Sequence, residues 1–310
     1  MKKQIAILMA ILMLTLFTLG CAAPVATETP AATEPPVATE PPAATEAPAP
    51  TEAPAEEPAT LAAAEVQLFI AASLENAFLE IIPLYNAVQP DVTVTYNADS
   101  SGKLLTQVQE GFACDIFFSA SPSQVKTLEE EGYMIAGSRV DLLNNRLALI
   151  TLKGSGTAVT GYADLANAKS LALADGSVPA GKYTRQVLIN LGVLDGAKTA
   201  AEYTTEEVAA ALNGVEINEC GNVSKVKEAV KEGANEIGSV YYSDAYSIIN
   251  DIDVIELADP SLTGDILYPV CRVNNAEATE AETAAADDFM AFLQTDEVKA
   301  IYEKYMFILN

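Results

Sequence analysis

No histidine occurs among the 310 residues. That removes the side chain most used near neutral pH as a general base, a nucleophile activator or a transition-metal ligand. Cys21, Cys114, Cys220 and Cys271 are scattered, without a Cys-x-x-Cys pair, so the sequence predicts no zinc or iron–sulfur centre. Carboxylates are plentiful, yet no motif pairs them. Lys153-Gly154-Ser155-Gly156 lacks the closing Gly-Lys-Ser/Thr of a phosphate loop, and it reads as a turn. These absences weigh against an enzyme and predict no cofactor. What recurs is a small, Ser- or Gly-bearing junction: Ala71-Ala72-Ser73-Leu74, Asp99-Ser100-Ser101-Gly102-Lys103, Val178-Pro179-Ala180-Gly181 and Gly221-Asn222-Val223-Ser224. A helix start offers free backbone N–H groups and roughly half a positive charge, which suits an anion. Ser at the N-cap and Pro at the first helical position are also ordinary helix starters. One such junction therefore says little, and four in one chain say more.

The elements that must hold these junctions alternate. Apolar, β-rich runs are predicted as strands at 66–70, 92–96, 116–118, 147–152, 171–174, 237–240, 254–257 and 266–273. Helical patterns fall at 74–88, 103–110, 123–131, 180–191, 205–212, 223–231, 281–293 and 296–304. Strands alternating with helices argue for an α/β protein with parallel sheets. The length and repeated rhythm favour two lobes over a single barrel. In open α/β sheets, ligands bind where strand ends meet helix starts, which is where the four junctions stand.

The N-terminus speaks to compartment. Lys2 and Lys3 precede an apolar run from Ile5 to Leu19, and Gly20-Cys21 follows at once. This is the layout of a secretory signal peptide over residues 1–20, with an apolar run too short for a comfortable membrane span. The small residue before Cys21 resembles the lipobox of bacterial lipoproteins, which predicts lipidation of Cys21 and an extracytoplasmic chain anchored to the cell membrane. Residues 21–63 then cycle through Ala-Thr-Glu-Pro-Pro units carrying seven glutamates and no basic residue. Such a segment has too little apolar bulk to fold and is predicted to be a disordered tether. At ~3.1 Å per residue it would reach on the order of 130 Å. The net charge of −26 argues against nucleic acid or an anionic membrane surface as partner. It also means that any anion site must be local and built from oriented donors. Export permits a Cys220–Cys271 disulfide without requiring one.

At the junctions the chain resembles the molybdate-binding proteins of bacterial ABC importers, which have the two-lobed type II periplasmic-binding-protein fold. The resemblance rests on an ordered set: Val66 to Ala77 (VQLFIAASLENA), Ser100-Ser101-Gly102-Lys103-Leu104, Gly111 to Ala120 (GFACDIFFSA), Asn145 to Ile150, Val178 to Tyr183, Gly238 to Ala245 (GSVYYSDA) and Tyr268-Pro269-Val270. It covers Glu65 to the C-terminus. It implies a first lobe of residues 64–146 and 265–310, a second of 147–264, and a hinge of two chain crossings. It also implies a monomer that captures molybdate or tungstate and delivers it to an ABC permease in the membrane. In that family the oxyanion is held without charged side chains. Carried over residue by residue, the implied ligands are the hydroxyls of Ser73, Ser101 and Tyr241 and the amides of Ala180 and Val223. Molybdate at neutral pH is a proton-free dianion, and such a cage of donors matches it. Tyr242 could equally supply the tyrosine hydroxyl. Cys220-Gly221-Asn222 departs from the acidic helix start of the family, and Cys114 stands where it has Ala. Lys103 and Lys182 read as solvated helix-face residues. The alternative is a receptor for another tetrahedral oxyanion, such as sulfate or phosphate, which shares the fold and the helix-start strategy.

Overall fold

The computed structural model describes residues 60–310. The expected signal peptide, Cys21 and the tether as far as residue 59 lie outside the described residues. The described chain begins inside the segment read as tether. Leu61 already packs against the core, and its N–H donates to Gln89 Oε1 at 3.0 Å.

In chain order, β1 (Ala64–Ala71) runs through a 3-10 turn (Ala72–Leu74) into α1 (Glu75–Val88). There follow β2 (Val92–Asp99), α2 (Ser101–Gln109), β3 (Ile116–Phe118), α3 (Pro122–Glu130) and β4 (Val140–Asn145). Next come β5 (Leu147–Leu152), β6 (Ser170–Ala174), α4 (Pro179–Asn190), α5 (Thr205–Ala211), β7 (Glu216–Cys220) and α6 (Val223–Lys231). Then come β8 (Ile237–Tyr241), α7 (Tyr242–Ser247), β9 (Ile252–Leu257) and α8 (Pro260–Thr263). The chain closes with β10 (Ile266–Arg272), α9 (Glu280–Phe292), α10 (Asp296–Lys304) and β11 (Ile308–Leu309).

These strands form two sheets, one of six strands in the order β11-β4-β10-β3-β1-β2 and one of five in the order β7-β6-β8-β5-β9. Each sheet is the core of one lobe. The interior strands β3 and β8 are buried at every position and β5 at all but the last. Strands covered on both faces read as continuous apolar runs, which is why the sequence showed them. The first lobe is further filled by edge-on aromatic pairs, Phe78 with Phe118 and Phe118 with Tyr302.

The sheets are mixed, not parallel as the alternation predicted. β1 is parallel to β2 and β3, and β6 to β7 and β8, as right-handed crossovers require. β10 runs antiparallel to β3 and β4, and β5 antiparallel to β8 and β9. Both inserted strands enter their sheet from the other lobe. No helical crossover within the sheet dictates their direction. Only Arg146 separates β4 from β5, and only Gly264 and Asp265 separate α8 from β10. The crossings lie side by side: Asn145 pairs with Ile266, whose N–H donates to Asn144 Oδ1 at 3.0 Å.

Cys114, Cys220 and Cys271 are all free and buried. Cys220 ends β7 in one sheet and Cys271 lies in β10 of the other, so the permitted disulfide is not made.

Candidate functional site

The four junctions meet at one place between the lobes. Ser73 sits in the turn after β1 and Ser101 begins α2, both from the first lobe. Ala180 is the second residue of α4 and Val223 the first of α6, both from the second lobe. Tyr241 ends β8 and caps α7. All five border a single cavity, together with Asp99, Ser100 and Ala120. Its volume is ≈ 10 Å³, on the order of what one water-sized sphere needs. A space of that scale admits no solute until the lobes part, so its lining of donors, and not its volume, is what points to a small anion. Tyr242, left open by the sequence as the hydroxyl donor, is not among the lining residues and is only half-buried.

Local folding explains why donors face this space. The start of α4 has Pro179 at its first position and no side-chain cap, so the Ala180 amide has no intrahelical acceptor. At α6, Asn222 Oδ1 accepts from the Lys225 amide at 3.0 Å. The Val223 amide, two positions earlier, has no intrahelical acceptor either. At α2, Ser100 Oγ accepts from the Lys103 amide at 3.4 Å. Three helix starts thus bring unpaired N–H groups and their dipoles to one point.

Hydrogen bonds from the protein also dispose the two serine protons. Ser101 Oγ accepts from the Ala120 N–H at 3.0 Å, so its own proton is left to donate. Ser73 Oγ and the Tyr268 hydroxyl are 2.8 Å apart, and either can donate. Asn145 Nδ2 also approaches the Tyr268 hydroxyl oxygen, at 3.2 Å, and can only donate. A chain in which Asn145 donates to Tyr268, and Tyr268 to Ser73, satisfies every group and leaves the Ser73 proton for the cavity. The Tyr241 hydroxyl is buried with no partner at full hydrogen-bond geometry, though Tyr268 lies close beside it. Burial, followed by the nearby Tyr268, pushes its pKa well above the ordinary tyrosine value, so it stays a protonated donor. An unpaired buried hydroxyl costs about 1–3 kcal/mol, a cost that an acceptor in the cavity relieves.

Four charged residues shape the surroundings without appearing in the expected ligand set. Asp99 borders the cavity beside the five expected ligands. Its Oδ1 accepts from the Ser100 N–H at 2.7 Å and from Asn222 Nδ2 at 3.0 Å, and its Oδ2 lies 3.6 Å from the Lys103 ammonium. Lys103 is largely exposed, as expected for a helix-face residue. Arg185, in the second turn of α4, is fully buried and donates to the carbonyls of Tyr203 (2.9 Å), Ala174 (2.8 Å) and Gly181 (3.1 Å). It fixes the start of α4 to the end of β6. Asp244, one turn after Tyr241, is buried, and neither carboxylate oxygen has a partner at full hydrogen-bond geometry, with the Tyr241 N–H nearest. Burial pushes its pKa up to about 6, against a smaller opposing effect of Lys227. The sequence reading missed Tyr268, Asn145 and Arg185 as supports, although the first two lie in segments that carried the resemblance.

Two lobes on a two-strand hinge, closed on a small cavity lined by donors, define a solute-binding protein. The chain belongs to the bacterial extracellular solute-binding protein family, which it matches over residues 66–308. A protein of Bacillus subtilis (strain 168), named as the ABC transporter substrate-binding lipoprotein YvgL, is 29% identical over 238 residues, covering 76% of this chain and 84% of its own. The molybdate-binding protein ModA of Haemophilus influenzae is 27% identical over 255 residues, covering 79% and 91%. Among solved structures, a substrate-binding domain assigned to a molybdenum ABC transporter from Clostridium difficile matches with a TM-score of 0.57 and 30% identity, covering 79% of this chain and 98% of that one. The protein is thus an extracytoplasmic solute-binding protein of the ABC-importer type.

Proposed function

We propose that the protein captures molybdate or tungstate between its lobes and hands it to an ABC permease, acting as a monomer held to the membrane through a lipidated Cys21. The observation that carries the reading is the Tyr241 hydroxyl, buried without a partner at full hydrogen-bond geometry and bordering a cavity where two serine protons and three helix starts converge. A fully deprotonated tetrahedral oxyanion meets every one of those donors with an acceptor. The molybdate-binding names of several relatives support the same choice. Ser73, Ser101, Ala180, Val223 and Tyr241 are the proposed ligands. Because they come from both lobes, the anion favours the closed form by its differential affinity, and the closed form is what the permease would recognise.

The test is calorimetric titration of the chain without its signal and tether. Molybdate should bind one per chain, and Tyr241→Phe should weaken it by roughly 10- to 150-fold, the value of one hydrogen bond to a charged group. Absence of binding in the wild-type protein would refute the reading.

A further inference from the structure

We propose that Asp99 and Asn222 form a latch across the cleft that sets how long a bound oxyanion is held. Asp99 ends β2 in the first lobe, and Asn222 caps α6 in the second. The Asn222 carboxamide is used at both ends: its Oδ1 caps α6 through the Lys225 amide, and its Nδ2 reaches over to Asp99 Oδ1 at 3.0 Å. The backbones close in on either side of this bond. A Cβ on Gly102 would stand 3.2 Å from the Ser177 carbonyl oxygen of the other lobe. A Cβ on Gly221 would stand 3.0 Å from the Lys103 ammonium, again of the other lobe. Glycine at both positions lets the junctions approach this far. Asp99 and Val223 also border the cavity, so the bond lies at the rim of the proposed anion site.

A negative carboxylate beside a dianion is unfavourable on electrostatic grounds alone. A bond made only when the lobes are together stabilises the closed state and leaves the open state untouched. Its effect therefore falls on release and not on capture. Asn222 is a positioning residue on this view: it holds α6, and with it the Val223 amide, against the first lobe. The inference rests on the oxyanion reading above.

The experiment is stopped-flow kinetics with molybdate, followed by tyrosine fluorescence, since the chain has 12 Tyr and no Trp. Asn222→Ser keeps an oxygen to cap α6 but is too short to reach Asp99. It should raise the release rate about tenfold and leave the association rate within about twofold. In an Asp99→Ala background the same substitution should add nothing, because its partner is already gone. Asp99→Ala alone should speed release, whereas loss of a repelling charge would slow it. Unchanged release in Asn222→Ser, or an equal increment in the Asp99→Ala background, overturns the latch. Wild-type protein that binds no molybdate overturns the function proposed above instead, so the two failures are distinguishable.

Discussion

Ser101 accepts one hydrogen bond from the protein, and Ser73 does so when Tyr268 is the donor, which leaves each a proton to offer the cavity. Replacing either with Ala should lower molybdate affinity roughly 10- to 150-fold, the value of one hydrogen bond to a charged group, as read by calorimetry. Tyr268→Phe should weaken binding less, because Tyr268 does not line the cavity and reaches the site through the Ser73 proton. Tyr242→Phe should leave affinity unchanged, since Tyr242 is not among the lining residues. Asp244 invites a different test. Its pKa is raised from 3.8 to about 6, so the folded state holds a proton that the unfolded state has lost between those values. Stability therefore falls as pH rises across that window and stays reduced above it, by on the order of 3 kcal/mol. Asp244→Asn should melt several degrees higher than wild type at about pH 8 and lose that advantage at about pH 4. Parallel melting curves for the two proteins across pH would show that Asp244 is not buried as a carboxyl.

At the scale of elements, α4 depends on a cation that the sequence conceals. Arg185 looks like a surface residue of an amphipathic helix, yet it is buried and donates to three backbone carbonyls and to Thr205 Oγ1 at 3.3 Å. Arg185→Met should leave those acceptors unpaired and cost about 3 kcal/mol. For a domain of this size that is a fall of roughly 6–12 °C in Tm, accompanied by weaker anion binding as the α4 start loosens. A Tm unchanged by the substitution would contradict this role. Elements with a local signature were legible from sequence: β3, β5, α6 and α10 fall where the periodicity puts them. Others carried no such signal. β7 has a single buried residue and two glutamates among its five, α7 starts without a linker after Tyr241, and β11 is two residues long. The antiparallel insertion of β5 and β10 depends on which lobe the chain arrives from, and no local pattern records that. The junction residues of the site were legible because each lies in a short contiguous turn. Their supports were not, since the Ser73–Tyr268 and Asn145–Tyr268 contacts span 195 and 123 residues.

For the whole molecule, the proposed capture draws on two lobes, close-set crossings and donors from both sides, so that closure and capture would be one event. The proposed attachment to the membrane through Cys21 is separable from it. Cys21→Ala should move the protein from the membrane fraction to the soluble fraction while leaving anion affinity intact. A variant still processed and membrane-bound would refute lipidation at that residue. Selectivity bears on the central claim most directly. Phosphate near neutral pH carries at least one proton, which needs an acceptor when buried. Asp99, the carboxylate at the cavity, already receives two N–H groups on Oδ1 and faces the Lys103 ammonium with Oδ2. Leaving that proton unmet costs about 1–3 kcal/mol. Sulfate is fully deprotonated but smaller, so a cage of donors wrapped on the larger molybdate would meet it with fewer full hydrogen bonds. Calorimetry of wild-type protein with molybdate, tungstate, sulfate and phosphate at one pH and one salt concentration should give molybdate and tungstate together as tightest, then sulfate, then phosphate. Phosphate bound as tightly as molybdate would contradict a site that selects by donors alone.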